Sequence, residues 1–152
     1  MQLKIKQLDY RAQLPVYATT GAACFDLHAI VTHDCMPDET PLEDMPPNLP
    51  RVIRTGLAFE IPEGYVMLVY SRSGHGFKNG VRLANCVGVI DSDYRGEVMV
   101  KLHNDSCFAF NVYNGDRIAQ AMIIPVQQVQ FELVEELSST ERGSGGMGST
   151  GA

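Results

Sequence analysis

Residues 87–97 (VGVIDSDYRGE) place two aspartates, Asp91 and Asp93, directly after an apolar run. A carboxylate in such a position can accept a proton from a water molecule, which is the role of a general base. Asp, Ser and Gly are also frequent turn residues, because Asx side chains cap nearby amides and Gly accepts positive φ. On these residues alone a plain β-hairpin turn is favoured, so other segments must decide whether one carboxylate is catalytic.

Three further segments combine glycine with cationic and hydroxyl side chains, as phosphate-binding loops do. Backbone N–H groups next to glycine can point at an anion, and a guanidinium binds its oxygens in pairs. None of the three has P-loop spacing, and a hairpin loop, an ion pair or a flexible tail explains each one singly. The segments are 71–80 (SRSGHGFKNG), 114–120 (NGDRIAQ) and 142–151 (RGSGGMGSTG).

Composition predicts one globular domain that binds neither nucleic acid nor membrane. The chain has 152 residues, 45% of them hydrophobic, and a net charge of −6, which argues against a nucleic-acid surface. No run approaches the ~20 apolar residues that cross a bilayer. The N-terminus alternates polar and apolar residues like a first strand and lacks a signal peptide's apolar run, so a cytoplasmic location is expected. The four cysteines lack C-x-x-C spacing and are expected as free thiols, not as zinc ligands.

The chemistry-bearing segments lie between short runs with the two-residue period of half-buried strands. In residues 96–104 this period puts Val98, Val100 and Leu102 on one face. Regular short strands separated by Gly, Pro, Asn and Asp predict an all-β sandwich or barrel. A short helical turn is predicted at 74–79. The other predicted strands are 3–8, 52–61, 65–70, 108–112, 118–126 and 131–137.

Two segments are predicted to lie outside the strands. Residues 33–50 contain five prolines and five acidic residues and are expected to form an exposed loop, most of it an excursion at 34–50. The glycine-rich C-terminus cannot bury a core and is expected to be a flexible arm. The predicted domain therefore spans residues 1–137, and the arm spans 138–152.

Taken together and in order, these segments resemble the five motifs of the trimeric all-β deoxyuridine triphosphatase (dUTPase) family. Any one could occur by chance, but five compatible segments in register are a specific signal. The matching segments are 22–29 (AACFDLHA), 71–81 (SRSGHGFKNGV), 83–97 (LANCVGVIDSDYRGE), 114–120 (NGDRIAQ) and 142–151 (RGSGGMGSTG).

The resemblance implies a homotrimer of distorted jelly-roll barrels that hydrolyses dUTP to dUMP and pyrophosphate with Mg²⁺. This reaction supplies dUMP for dTMP synthesis and keeps uracil out of DNA. In the family one chain supplies the third motif to each active site, a neighbour the second and fourth, and the third chain its tail. Water attacks the α-phosphorus, and the resemblance makes Asp91 its general base, with Gln120 contacting the water and the α-phosphate. Asp93 would only hold the turn.

The resemblance also implies roles for the remaining site residues. Tyr94 would pack under the deoxyribose and exclude a 2′-hydroxyl. Asp26 would reach Mg²⁺ through a water, because Mg²⁺ keeps much of its hydration shell and is held mainly by substrate phosphates. Arg117 would be mainly structural. The expected uracil contacts are Asn85 and the backbone of Val89, Ile90 and Met99, the expected phosphate contacts are Arg72, Ser73 and Gly74, and the expected arm contacts are Arg142, Met147, Ser149 and Thr150.

The sequence departs from the family pattern at three places. Met147 stands where a phenylalanine usually covers the uracil, Ser71 stands where a proline usually precedes Arg-Ser-Gly, and the 34–50 segment is longer than in compact bacterial members. Two alternatives remain at this point. One is a dCTP deaminase of the same fold, although no glutamate follows Asn85 where deamination would need one. The other is a dUTPase-like regulatory binding protein that uses the 34–50 segment.

The departure at Met147 leads to a prediction. Methionine covers a ring through sulfur and methyl contacts but lacks a flat π surface, and aromatic–base stacking is worth ~1–3 kcal/mol. Met147→Phe should therefore raise kcat/KM for dUTP by up to about tenfold, at ~1.4 kcal/mol per decade. Met147→Ala should lower it. Steady-state kinetics that are unchanged in both variants would show that residue 147 does not touch the base.

Overall fold

The computed structural model describes residues 1–30 and 43–146. Within them nearly all of the regular secondary structure is β-strand. This content confirms the predicted fold class. The helix α1 confirms the predicted helical turn. The elements are β1 (Lys4–Gln7), β2 (Phe25–His28), β3 (Glu43–Met45), β4 (Pro50–Arg54), β5 (Leu57–Glu60), β6 (Tyr65–Tyr70), α1 (Ser73–Asn79), β7 (Val81–Leu83), β8 (Val87–Ile90), β9 (Met99–Asn104), β10 (Phe110–Val112) and β11 (Arg117–Pro125).

The strands form antiparallel sheets of two, two, three and four strands. The two that build the candidate site are the four-stranded sheet, in the order β2-β11-β6-β8, and the three-stranded sheet, in the order β4-β9-β7. The remaining pairs are β1 with β5 and β3 with β10. In the four-stranded sheet Gln120 lies opposite both Asp26 and Tyr70, so the register brings the first and fourth motifs side by side.

The inner faces of the sheets supply one hydrophobic core. Strand β9 shows the predicted alternation, because Val100 and Leu102 are buried whereas Met99 and Lys101 are exposed. Buried apolar side chains of this kind each contribute roughly 1.5–3 kcal/mol to folding. The core also includes the fully buried Leu27, Leu57, Met67, Leu83 and Ile118.

A sharp corner separates β4 from β5, where a single strand over residues 52–61 was expected. Gly56 has φ of 68°, a left-handed conformation that a residue with a side chain adopts at a cost. The Glu97 carboxylate holds the corner: it accepts from the Gly56 N–H at 2.8 Å and pairs with Arg54 Nε at 3.0 Å. The Thr55 hydroxyl donates to the Val98 carbonyl at 2.6 Å. These side-chain bonds satisfy backbone groups that an unbroken strand would have paired.

Two expectations about strands and loops are wrong. Residues 131–137 form no strand, and Phe131 and Leu133 are fully exposed, because a strand needs a neighbour and no other described part of this chain supplies one. Residues 43–45 lie in the segment expected to be a loop, yet they form β3 against β10 and bury Met45 completely. Residues 31–42 of that segment lie outside the described residues. The boundary placed at residue 137 stays a prediction.

Gly56 provides a stability test. A Cβ at this position would lie 2.7 Å from Ala12 Cβ and 2.7 Å from Ile30 Cδ1. Gly56→Ala should therefore lower the free energy of unfolding by about 2–4 kcal/mol, the sum of left-handed strain and overpacking. Urea unfolding measures the change.

Two glycines serve as controls. Gly64 also has positive φ, but a Cβ there meets nothing within 4 Å, so Gly64→Ala should cost only the backbone strain of about 1–2 kcal/mol. Gly21 has neither feature, and Gly21→Ala should be close to neutral. Equal losses in Gly56→Ala and Gly64→Ala would contradict the crowding described at the corner.

Candidate active site

A pocket of about 160 Å³ opens between β8 and β9. Its buried walls are aliphatic, and among the described residues Asn85 and Lys101 are the two with polar side chains in its lining. The four residues expected to contact uracil, Asn85, Val89, Ile90 and Met99, all lie in its lining. The full lining is Val69, Leu83, Asn85, Gly88, Val89, Ile90, Met99, Val100 and Lys101.

The pocket exists because the edges of β8 and β9 separate at this point. Strand β8 is the last strand of its sheet, and β7 pairs with β9 only as far as Leu83 opposite Leu102. The Lys101 carbonyl accepts the Ala84 N–H at 2.8 Å, on the side of β9 that faces β7. Since backbone groups alternate along a strand, the N–H and C=O of Met99 point to that same side, beyond the end of β7. A planar ligand with its own donors and acceptors can therefore pair with the main chain there.

The turn after β8 presents Asp91 and Tyr94. Asp91 is exposed, and its carboxylate has no hydrogen bond or ion pair within residues 1–30 and 43–146, so it is free to accept a proton. The Asp91 carbonyl accepts a hydrogen bond from the Tyr94 N–H at 3.2 Å, and this bond closes the turn. The Tyr94 hydroxyl donates to the Glu97 carbonyl at 3.0 Å and lays the ring across Gly96. Asp91 also faces a second, larger cavity of about 900 Å³.

Asp93 does not hold this turn, in contrast to expectation. Its carboxylate lines the larger cavity beside Asp91 and makes no hydrogen bond to any described residue. The Arg95 guanidinium stabilises the turn instead, by donating to the carbonyls of Ser92 at 2.6 Å and Tyr94 at 3.0 Å. Both bonds come from Arg95 Nη1, which carries two hydrogens and can donate to two carbonyls, whereas an ionised carboxylate has no donor.

Asp26 lies between two arginines. Arg72 Nε donates to its Oδ1 at 2.9 Å, and Arg117 Nη1 donates to its Oδ2 at 3.4 Å. The Arg72 side chain is about one-fifth exposed, whereas that of Arg117 is about half exposed, so the Arg72 pair is the less screened. The Arg117 carbonyl also accepts from Arg72 and His75, at 3.3 and 2.7 Å. The first, second and fourth motifs are thus tied together by one carboxylate and one carbonyl.

Ser71 and Gln120 complete this cluster. Gln120 Nε2 donates to the Ser71 carbonyl at 2.9 Å, and the Ser71 hydroxyl accepts the Leu83 N–H at 2.8 Å. Ser71 therefore joins the phosphate-type loop to β7, a link that a proline at this position could not make with its side chain. This contact has no signal in the local sequence, where Ser71 stands out only as a departure from the family pattern. Ser73 and Gly74 follow, exposed, in the first turn of α1.

The ring of His28 lies beside this cluster. Burial lowers the pKa of His28 below its usual value, and the neighbouring Asp26 carboxylate only partly opposes that effect. The buried Nδ1 has no hydrogen-bond partner among the described residues. A neutral ring tolerates this arrangement better than an imidazolium, since a buried unpaired charge is far more costly than an unpaired lone pair.

The two clusters lie at opposite ends of β6. Asp91 follows Ile90, which pairs with Met67, whereas Arg72 follows Tyr70 at the other end of the strand. At ~3.3 Å per residue, five or six residues separate them by roughly 15–20 Å along the strand. Within one chain, therefore, the candidate base does not reach the candidate phosphate-binding arginine.

Only part of the expected arm lies within the described residues. Arg142 is exposed and donates to the Gly145 carbonyl of its own segment at 2.9 Å, whereas Met147, Ser149 and Thr150 lie outside the described residues.

No group of three or more His, Cys, Asp or Glu side chains within residues 1–30 and 43–146 is arranged to hold a metal ion. In the same ranges no helix is long and apolar enough to cross a bilayer.

Comparison with known proteins agrees with the resemblance. The dUTPase family profile matches residues 10–151. The deoxyuridine 5'-triphosphate nucleotidohydrolase of Nautilia profundicola is 50% identical over 151 residues, which cover 99% of each chain. A mutant dUTPase of Staphylococcus bacteriophage 80alpha superposes with a TM-score of 0.84 at 28% identity and covers 97% of this chain and 98% of that one. Another mutant of the same phage enzyme, solved with dUpNHpp, gives 0.82 at 27% identity over 99% of both chains.

The contact of Tyr94 with Gly96 can be tested by a double-mutant cycle. A Cβ on Gly96 would overlap the Tyr94 hydroxyl oxygen and lie 2.6 Å from Cζ, so Gly96→Ala should swing the ring away. Loss of the bond to Glu97 should lower the free energy of unfolding by about 0.5–1.5 kcal/mol. Tyr94→Phe should lose the same bond without moving the ring. If both act through this contact, urea unfolding of the double variant should show much less than the sum of the two losses, and additivity would contradict it.

Proposed function

This chain belongs to the dUTPase family and hydrolyses dUTP to dUMP and pyrophosphate, and we propose that it does so in a shared site built from the two clusters described above. The observation that carries the proposal is the pocket between β8 and β9, followed directly by the unpaired carboxylate of Asp91. The lining of this pocket contains no carboxylate, which argues against the deaminase alternative.

In the proposed complex the uracil ring enters the pocket and pairs with the main chain of β9. The backbone N–H and C=O of Met99 provide one donor and one acceptor, and the Asn85 amide provides one of each. Ile90 and the buried Leu83 pack against the ring, and the main chain of Val89 lies in the lining beside it. A methyl group on the ring would meet these walls, and overpacking costs typically 1–3 kcal/mol, so thymine is excluded sterically.

Asp91 is the proposed general base. With no competing cation or donor on its carboxylate, it can orient a water and take its proton as the water oxygen attacks the α-phosphorus. The bond from that phosphorus to the bridging oxygen then breaks, and pyrophosphate leaves with the electron pair. The Tyr94 ring, held over Gly96, would lie under the deoxyribose and leave no room for a 2′-hydroxyl.

The phosphates are proposed to lie on the cluster around Arg72. Arg72 has donors beyond those used for Asp26 and the Arg117 carbonyl, and the exposed Ser73 and Gly74 present N–H groups of the first turn of α1. Gln120 lies beside them. Mg²⁺ bound to the triphosphate would neutralise part of its charge. Because both Asp26 oxygens face guanidinium groups, Asp26 fits an ion held mainly by phosphates and contacted through water.

The separation along β6 supports a site shared between chains of a homotrimer. If Asp91 cannot reach Arg72 of its own chain, a complete site needs Asp91 from one chain and Arg72 from another. The outer face of the four-stranded sheet offers apolar surface for such contacts, since Leu68, Met122 and the 61% exposed Val89 lie side by side on it. Large exposed apolar patches commonly mark protein interfaces.

The segment after β11 is proposed to reach a neighbouring chain. It leaves the barrel at Pro125 and exposes Phe131, Leu133 and Leu137 almost completely. Such side chains are stabilised when another surface covers them. Beyond them Arg142 and the arm contacts Met147, Ser149 and Thr150 would close over the phosphates and the base, and none of residues 138–146 is buried in the core.

A pyrophosphate-release assay with dUTP, dTTP, dCTP and UTP, each with and without Mg²⁺, tests the reaction. Release from dUTP alone, dependent on Mg²⁺, is expected. Ammonia release from dCTP would favour the deaminase instead.

The shared site leads to a complementation prediction. Asp91→Asn should lower kcat by about 10²–10⁴-fold through loss of the base. Arg72→Gln should also be nearly inactive. Mixed trimers formed by refolding the two variants together should recover activity, because some sites combine an intact Asp91 with an intact Arg72 from the other chain. Pyrophosphate release per chain measures the recovery.

A mixture of Asp91→Asn with Asp91→Ala is the matched control, because no combination of those chains restores the base. It should stay inactive. If the Asp91→Asn and Arg72→Gln mixture shows only the average of its two components, the site lies within one chain and the proposal of a shared site is wrong.

A further inference from the structure

Lys101 is a cation in the lining of the proposed base pocket, and it belongs to none of the five motif segments. It is exposed, lines the pocket with Asn85, and its ammonium makes no ion pair or hydrogen bond to any residue described. Other cations on the same face of the three-stranded sheet do have partners. Arg54 pairs with Glu97 at 3.0 Å, and Arg82 pairs with Asp105 at 2.6 Å. The Lys101 ammonium thus keeps all three of its donors for a ligand.

The pattern of donors and acceptors on a pyrimidine explains what this cation can do. The edge of uracil that bears O4, N3–H and O2 reads acceptor, donor, acceptor. The same edge of cytosine carries an amino group at position 4 and an unprotonated N3, and it reads donor, acceptor, acceptor. A protein site distinguishes the two bases only through groups that cannot exchange these roles.

Asn85 and Lys101 differ in this respect. The Asn85 side chain carries both a carbonyl and an NH₂ group and can rotate to suit either base, whereas the Lys101 ammonium has donors and no acceptor. Of the two polar side chains in the pocket, only Lys101 therefore has a fixed preference for a carbonyl.

We infer that Lys101 is a specificity-determining residue, which donates to the O4 carbonyl of the uracil ring and disfavours the amino group that cytosine carries at the same position. This inference rests on the proposed function of the pocket as the base site. It adds a charged side chain to recognition that the family pattern assigns to main chain and Asn85. Lys101 is exposed and outside the core, so replacing it should leave the fold intact.

The test compares Lys101→Met with wild type in steady-state hydrolysis of dUTP and in competition by dCTP. Lys101→Met should raise KM for dUTP by about three- to tenfold, the loss of one charge-assisted hydrogen bond at a partly solvated site. It should leave kcat nearly unchanged, because the contact is to the base and not to the reacting phosphorus. The inhibition constant of dCTP should stay the same or fall. Lys101→Arg, which keeps the donor, should restore most of the affinity for dUTP.

Lys6→Met is the matched control, since it removes the same charge from an exposed strand position away from the pocket. It reports the general effect of charge on binding a polyanion. If Lys101→Met weakens dUTP and dCTP by the same factor, or changes neither, Lys101 does not read the base and the inference is overturned. If wild type itself releases no pyrophosphate from dUTP, the proposed function fails first, and the two failures are thereby distinguished.

Discussion

Strand β6 separates the two halves of the chemistry, and much of the molecule follows from that separation. The strand is extended, so its ends cannot approach each other. The loop with Arg72 follows one end of β6, whereas the turn with Asp91 follows β8, which pairs with β6 toward its other end. A single chain therefore contains the proposed base-binding half and the proposed phosphate-binding half near opposite ends of β6. In the proposed shared site, the unpaired Asp91 carboxylate and the exposed tail after Pro125 would both act together with another chain. A helix or loop in place of β6 could have folded the halves together, but a sheet strand cannot.

The phosphate-binding half is held by electrostatics more than by packing. One Asp26 carboxylate orients two arginines, and one Arg117 carbonyl collects donors from Arg72 and His75. The helix that follows Arg72 has no buried residue, so packing contributes little to its position beyond the edge-to-face contact of His75 with Phe110 at 5.3 Å. Ion pairs that are partly exposed are individually weak, yet several that share one acceptor restrict one another. Such an arrangement suits a surface that must accept a polyanion, because the cations are already positioned before the phosphates arrive.

The sequence predicted the elements that carry their own periodic signal. β9 alternates over its six residues and β6 is a continuous apolar run of six, and both were found close to their observed bounds. β2 and β7 have four and three residues, too few for a period to show, and they exist because their neighbours pair with them. Residues 131–137 also mix apolar and acidic side chains but form no strand, since an apolar pattern does not supply the neighbour that a strand needs. Spacing within the motifs pointed to Asn85 and Asp91. The place of Lys101 in the pocket lining and the hydroxyl contact of Ser71 depend on where the strands end, and the local sequence does not encode where they end.

The corner at Gly56 has a consequence for how the base-binding half meets its ligand. Through Glu97 the end of the Asp91 hairpin is bonded to the corner between β4 and β5, while the start of that hairpin is paired with β6. Both ends are thus bonded to the barrel, which restricts the opening of the hairpin as a unit. The substrate would then encounter a preorganised base, and binding entropy would be lost elsewhere, in the arm and not in the hairpin.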